Sequence, residues 1–265
     1  MELLPIILAS VYLVLTLILR SMLISEMNII FLTKVFNILL FLNLISFVFY
    51  FYDTIYPVYG MGFNFMQSLL VTLLIINLFF VFFIIQKEIH HLGLILFPLT
   101  SATLIMSQFM DNISVNQEYI TDGLQLHILT SFSSYGFLGL AAIQALLLNY
   151  QEKQLKNVKH SQFIASLPSI EVMEKIMFDL IILGFILLTI SLLSGAPFVI
   201  QDNSIHIIQK ILFSLIAWIT FAYLLYKRFS YGVRGKKAVH ITLSGIIFLL
   251  IAYLGTKFLF EALSV

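Results

Sequence analysis

The chain contains no cysteine, a single tryptophan and few charges. Without a thiol it has no disulfide scaffold, no thiol redox centre, no cysteine-bound iron–sulfur cluster and no cysteine-ligated zinc. Only 10% of its 265 residues are charged, against about 25% in a typical soluble domain. So few ions cannot cover a water-facing surface, which excludes a soluble globular fold. Cations and anions nearly balance, at a formal net charge of +1. That balance removes the counterion-release drive on which nucleic-acid binding depends, so no nucleic-acid partner is expected.

What the chain does have is hydrocarbon. Hydrophobic residues make up 61% of it, with 26 Phe and 12 Tyr. A membrane-spanning helix needs about 20 predominantly apolar residues. Eight such stretches follow one another: Leu3–Leu19, Ile29–Tyr50, Phe63–Ile85, Leu92–Met110, Leu126–Tyr150, Ile176–Ile200, Ile207–Tyr226 and Val239–Phe260. None alternates polar with apolar residues as a barrel strand does. The first has no basic leader and no small-residue cleavage site, so a retained helix is expected. The sequence therefore predicts an all-α, polytopic transmembrane helical bundle of eight spans.

The basic residues are sorted. Twelve of the fourteen flank the odd-numbered connections: Arg20 and Lys34; Lys87; Lys153, Lys156, Lys159 and Lys175; Lys227, Arg228, Arg234, Lys236 and Lys237. The even connections hold Asp53, then Asp111, Glu118 and Asp122, then Asp202, with Lys210 just inside a span. The positive-inside rule makes the odd connections cytoplasmic, with both termini extracytoplasmic. The longest connection, Gln151–Glu174, is expected as a cytoplasmic loop or short interfacial helix.

Ionisable residues at membrane depth are costly and mark functional sites by default. His90 and His91 fall in a cytoplasmic connection, His160 in the long cytoplasmic one, and His240 at the cytoplasmic start of the last span. His127 and His206 differ, since both stand at the extracytoplasmic mouths of spans, the fifth and the seventh. Neutral imidazoles at one depth suit axial ligation of a haem iron. Interfacial histidines that cap helices and bind water fit the same placement, and both readings stand open. Lys210, one turn after His206, is placed either to neutralise a carboxylate such as a haem propionate or to be solvated.

The other intramembrane charges read as structural. Asp179 is spaced to pair with Lys175, and Lys34 and Lys257 are placed to reach the interfaces, Lys257 near Glu261. The small residues of the fifth span, among them Ser131, Ser134, Gly136, Gly139 and Ala141, favour close helix packing. Pro98 and Pro197 are the proline breaks within spans, and no midplane charge accompanies them, which ranks an ion or solute transporter last.

Three segments carry a resemblance: LHILTSFSSYGFLGLAAIQALLLNYQEKQLK (Leu126–Lys156), MEKIMFDLIILGFILLTISLLSGAPF (Met173–Phe198) and QKILFSLIAWITFAYLLYKRFSYGVRGKKAVHITLSGIIFLLIAYLGTKF (Gln209–Phe258). In this order they resemble the integral membrane cytochrome c assembly family of the CcsA/HemX type, in particular its short bacterial YpjD-like branch. The last segment follows the family pattern K-x4-L-x-x-W, then R-x-x-x-G-W-R-G-[KR]-x-A and YLG, with Val233 where the aromatic usually stands. The resemblance divides the chain into a variable N-terminal four-helix half, residues 1–110, and an assembly-protein-like half, residues 126–265. It implies a multi-pass protein of the bacterial cytoplasmic (inner) membrane that handles haem near the outer face, and it makes His127 the haem-ligand-type histidine. His206 stands in for a second axial ligand, and Lys210 joins the set as a cofactor-binding residue.

Family members that attach haem carry a tryptophan-rich external segment before the seventh span. Here that region reads APFVIQDNSIHIIQK, without tryptophan. The implied function is thus non-covalent binding of b-type haem, without lyase chemistry and with no catalytic residue assigned. The implied partners are membrane lipid, haem and a membrane or cytoplasmic protein. A haem-free regulatory or scaffolding subunit on the same fold, bound through Gln151–Lys175 and Lys227–Lys237, is the alternative.

Overall fold

In hydrocarbon the backbone must satisfy its own hydrogen bonds, and a single segment does so only as a helix. The computed structural model describes residues 3–24, 29–54, 65–84, 89–109, 122–156, 167–201 and 205–252. Eight α-helices occupy them: α1 Leu4–Ile24, α2 Ile29–Thr54, α3 Phe65–Ile84, α4 Gly93–Met106, α5 Asp122–Lys156, α6 Ile170–Gln201, α7 Ile205–Tyr231 and α8 Gly235–Leu250. No strand occurs among the described residues, so the all-α expectation holds. Within α1, α2, α5, α6 and α7 lie stretches long and apolar enough to cross a membrane, while Leu69–Ile84 and His90–Met106 are shorter apolar helices.

Two helices outrun their apolar stretches. α5 has 35 residues and α6 has 32, so the connection expected over Gln151–Glu174 is helical at both ends. The reason lies in QEKQLK and EVMEK, which are rich in good helix formers. Hydropathy marks where hydrocarbon ends, and hydrogen-bonded helix runs on past it. Pro98 and Pro197 sit inside α4 and α6 without ending either helix. His160, Asp111, Glu118, Asp202, Lys257 and Glu261 lie outside the described residues.

The chain forms two compact units. In the first, Met1–Tyr119 with Gln154–Pro168, the core is aromatic. Tyr12, Phe36, Phe47, Phe80 and Phe97 are fully buried. The Tyr12 and Phe97 ring centroids are 5.7 Å apart, and Phe80 meets Phe97 edge-on at 5.2 Å. Polar contacts tie the helices together: Ser101 Oγ donates to the Ala9 carbonyl at 2.9 Å, and Asn77 Nδ2 to Thr100 Oγ1 at 3.0 Å. A single 3₁₀ turn, His90–Leu92, leads into α4. His91 is buried there rather than solvated in a connection, because buried Ile89 and Leu92 draw the turn inward.

The second unit, Ile120–Lys153 with Ser169–Val265, holds α5–α8. Its α5–α6 seam is antiparallel and hydrogen-bonded at three heights. His127 pairs with Ser191, Ser134 Oγ donates to the Gly184 carbonyl at 2.9 Å, and Gln144 Nε2 donates to the Met173 carbonyl at 2.9 Å. α7 is bound to α6 by Trp218 Nε1 donating to Thr189 Oγ1 at 2.9 Å. At its far end Arg228 Nη1 reaches both Glu174 Oε1 and the Val233 carbonyl at 3.1 Å. The same guanidinium lies 4.3 Å from the Phe178 ring centroid.

Glu174 is buried, so deleting its cation strands a desolvated carboxylate. Arg228→Leu is expected to destabilise the second unit by about 3 kcal/mol. The double variant with Glu174→Leu should recover most of that loss, because the stranded charge goes too. Unfolding in mixed micelles checks this, and an Arg228→Leu variant as stable as wild type would refute the assignment.

Candidate functional site

The site grows from the polar stripe of α5. His127, Ser131 and Tyr135 recur every four residues and so share one helical face. His127 is half-buried, and its Nδ1 lies 2.9 Å from the Ser191 carbonyl oxygen of α6. A carbonyl can only accept, so Nδ1 carries a proton, and in the neutral ring it is Nε2 that keeps the lone pair. Among the described residues no protein group bonds Nε2. A neutral imidazole with one nitrogen tied to a carbonyl and the other free is the form in which histidine binds metals.

Two further features hold the ring. Ser131 Oγ donates to the His127 carbonyl at 2.6 Å and meets Ser191 Oγ at 2.5 Å. Gly195 lies against the imidazole, where an added Cβ would come within 2.7 Å of Cε1 and 2.8 Å of Nδ1. Only glycine leaves room for the ring in this position.

α7 enters through a hydrogen bond between the Tyr135 and Ser214 hydroxyls. This contact fixes the height of α7 against α5. His127 precedes Tyr135 by eight residues, and His206 precedes Ser214 by eight. Both histidines therefore occupy backbone positions about 12 Å along their helices from one cross-link, at 1.5 Å per residue. Lys210 lies halfway along that distance, level with Ser131, and is half-buried. The side chain of His206 lies outside those described.

Of the three residues singled out from sequence, His127 is held by α6, Lys210 shares the α7 face of Ser214, and His206 stands at a matching backbone height. No three His, Asp or Glu side chains gather as a metal site among the described residues. The donor set of one oriented imidazole and a nearby cation fits haem. Sequence reading missed the Ser191 carbonyl, which has no residue-type signature, and the role of Gly195, whose only signal was its place in the resembling SLLSGAPF segment. It also missed Glu174, for which the only signal was a charge just before an apolar run.

Comparison with known proteins follows the same lines. The profile described as "Cytochrome C assembly protein" matches residues 3–264, so the match takes in the N-terminal half as well. The chain is 31% identical over 176 residues to the inner membrane protein YpjD of Escherichia coli K12, which covers 65% of this chain and 66% of YpjD, just under two thirds of the relative's length. It is 26% identical over 129 residues to the cytochrome c biogenesis protein CcsA of Prochlorococcus marinus NATL1A, covering 48% of this chain and 40% of CcsA. No solved structure matches the chain significantly.

A side chain at position 195 has to displace the His127 ring. Imidazole ¹⁵N spectra of the detergent-solubilised protein should show the Nδ1–H tautomer of His127 in wild type and a tautomer mixture in Gly195→Val. The assignment fails if the two spectra coincide.

Proposed function

The chain belongs to the cytochrome c assembly protein family, and from that premise we propose that it is a haem-binding, haem-handling protein of the bacterial inner membrane. The observation that carries the reading is the His127 imidazole, protonated on Nδ1 toward the Ser191 carbonyl and open at Nε2. In this reading the His127 Nε2 and the His206 imidazole would hold b-type haem non-covalently between α5 and α7, and Lys210 would neutralise one of its carboxylates. Bound haem would supply an iron centre and an apolar macrocycle; the protein's part is to orient the imidazole and shield it. A ligand fixed by a backbone carbonyl loses little freedom on binding, and the flanking glycine lets the ring lie against α6.

Without a tryptophan-rich external segment and without cysteine, this chain's part lies in holding or passing on haem, not in bonding it to a protein. The names of the relatives support membrane location and the cytochrome pathway: one is an inner membrane protein, the other a cytochrome c biogenesis protein. We further propose that all eight helices cross, with both termini and the His127 end outside and the clusters around Lys156 and Lys236 inside. The basic connections are then where a membrane or cytoplasmic protein partner would dock.

Two experiments test this. Haem added to the purified protein should give a Soret band that titrates to one equivalent, and His127→Ala should weaken binding roughly tenfold or more, as loss of an oriented ligand does. His206→Ala should shift the spectrum toward a singly ligated iron. Ser191→Ala keeps the backbone carbonyl and should weaken binding far less than His127→Ala does. A wild-type protein without a Soret band, or a His127→Ala variant that binds equally well, ends the proposal. For the orientation, the cysteine-free chain is a ready background. Lys237→Cys should react with an impermeant maleimide only after the cells are opened, and Asn203→Cys before; the reverse order refutes it.

A further inference from the structure

The turn between α7 and α8 carries charge that the fold does not use. Residues 227–237 contain five cations. Arg228 is spent internally on Glu174 and the Val233 carbonyl. Lys227, Arg234, Lys236 and Lys237 have no carboxylate partner among the described residues, and the last three are exposed. Gly232 and Gly235 adopt positive φ, at 62° and 58°, which folds the turn tightly and gathers these cations at one end of the helix pair. Lys236 and Lys237 belong to the first turn of α8, where the helix dipole already disfavours cations. That local cost calls for an outside anion.

The same end of α7 displays aromatic side chains. Tyr223, Tyr226, Phe229 and Tyr231 are 50%, 56%, 74% and 65% exposed. Exposed tyrosines beside cations at the end of an apolar helix mark the level of the lipid headgroups. Lys227 Nζ stands 4.3 Å from the Tyr231 ring centroid and 5.6 Å from that of Tyr223. Cation–π contacts of this kind hold the ammonium at the membrane boundary. Two of the described carboxylates lie at the turn. Glu174 is bound to Arg228, and Glu152 Oε1 lies 3.1 Å from where a Cβ on Gly235 would stand. Glu152 thus occupies the approach to the α8 N-terminus, leaving the exposed side chains to receive any further anion.

From this placement we infer that the α7–α8 turn is a binding site for an anionic phospholipid headgroup, with the phosphate held by Arg234, Lys236 and Lys237 and the acyl chains lying along the aromatic face of α7. Charge selects the occupant: three unpaired cations at headgroup depth match a lipid of net negative charge and give a zwitterionic one no advantage. The acyl chains distinguish it from a free phosphate, because Phe229 and Tyr226 present apolar surface that inorganic phosphate cannot cover. Each basic residue near an anionic membrane surface strengthens binding roughly fivefold.

Native mass spectrometry of the full chain in non-ionic detergent, with phosphatidylglycerol or phosphatidylcholine added, tests the site. Wild type should retain phosphatidylglycerol in preference to phosphatidylcholine. The variant R234Q/K236Q/K237Q should lose that preference, with apparent affinity falling on the order of a hundredfold. The control K153Q/K156Q, which removes exposed cations from the end of α5, should keep it. Raising sodium chloride should release phosphatidylglycerol from wild type, a measurement that needs no variant to fold. Equal retention of both lipids by wild type, undiminished phosphatidylglycerol binding by the triple variant, displacement by inorganic phosphate, or indifference to salt would each overturn the inference.

Discussion

Inside hydrocarbon a polar side chain that finds no partner in the protein finds none at all. The second unit is organised by that constraint. Helices surrounded by lipid gain nothing from burying leucine against leucine, so they associate through close packing and through hydrogen bonds. Ser134 to Gly184, Gln144 to Met173, Trp218 to Thr189 and Tyr135 to Ser214 are those bonds. Each satisfies a polar group and each also fixes a height. Once Tyr135 is bonded to Ser214, the positions of His127 and His206 along their helices are no longer independent. The candidate site is therefore set by bonds made well below it.

The polar groups that fix the helices and those offered to a ligand are chemically alike and differ only in what is left over. Ser131, Ser134 and Gln144 are consumed by the seam. His127 is consumed at one nitrogen only. At the other end of the unit the same division separates Arg228, which is half-buried and bonded to Glu174 and the Val233 carbonyl, from Arg234 and Lys236, which are not. Family membership alone would not draw this line, since one fold carries many functions and the function lives in the site. Under the proposed function, a histidine without the tryptophan-rich segment goes with holding a ligand and not with bond-forming chemistry.

Much of this was legible in the sequence, and the rest was hidden for physical reasons. The eight helices follow from apolar runs separated by charge. Their ends do not, because α5 and α6 continue through polar helix formers that hydropathy counts as loop. His127 could be picked out as an imidazole at a helix mouth, yet its tautomer depends on a carbonyl 64 residues away in the chain. Backbone carbonyls leave no mark on composition. Gly195 stood out only by its place in the resembling SLLSGAPF segment until the ring lying against it came into view. His91 read as one of two histidines in a cytoplasmic connection, whereas the turn that holds it is buried together with Ile89 and Leu92. Recognisable motifs covered the second half of the chain, and the family profile extends over the first as well, although no short motif there can be read by eye.

The length of α5 has a mechanical meaning. Its 35 residues span about 52 Å at 1.5 Å per residue, well beyond the roughly 30 Å of the hydrocarbon core. An unbroken helix transmits axial displacement almost without compression, since shortening it means breaking backbone hydrogen bonds in series. His127 rides near one end of this rod and Glu152, beside the α7–α8 turn, near the other. A ligand that pushed or drew the histidine end by an ångström would move the carboxylate by nearly as much. In the proposed orientation the helix would act as a piston rod, turning a displacement at its His127 end into one at its Glu152 end.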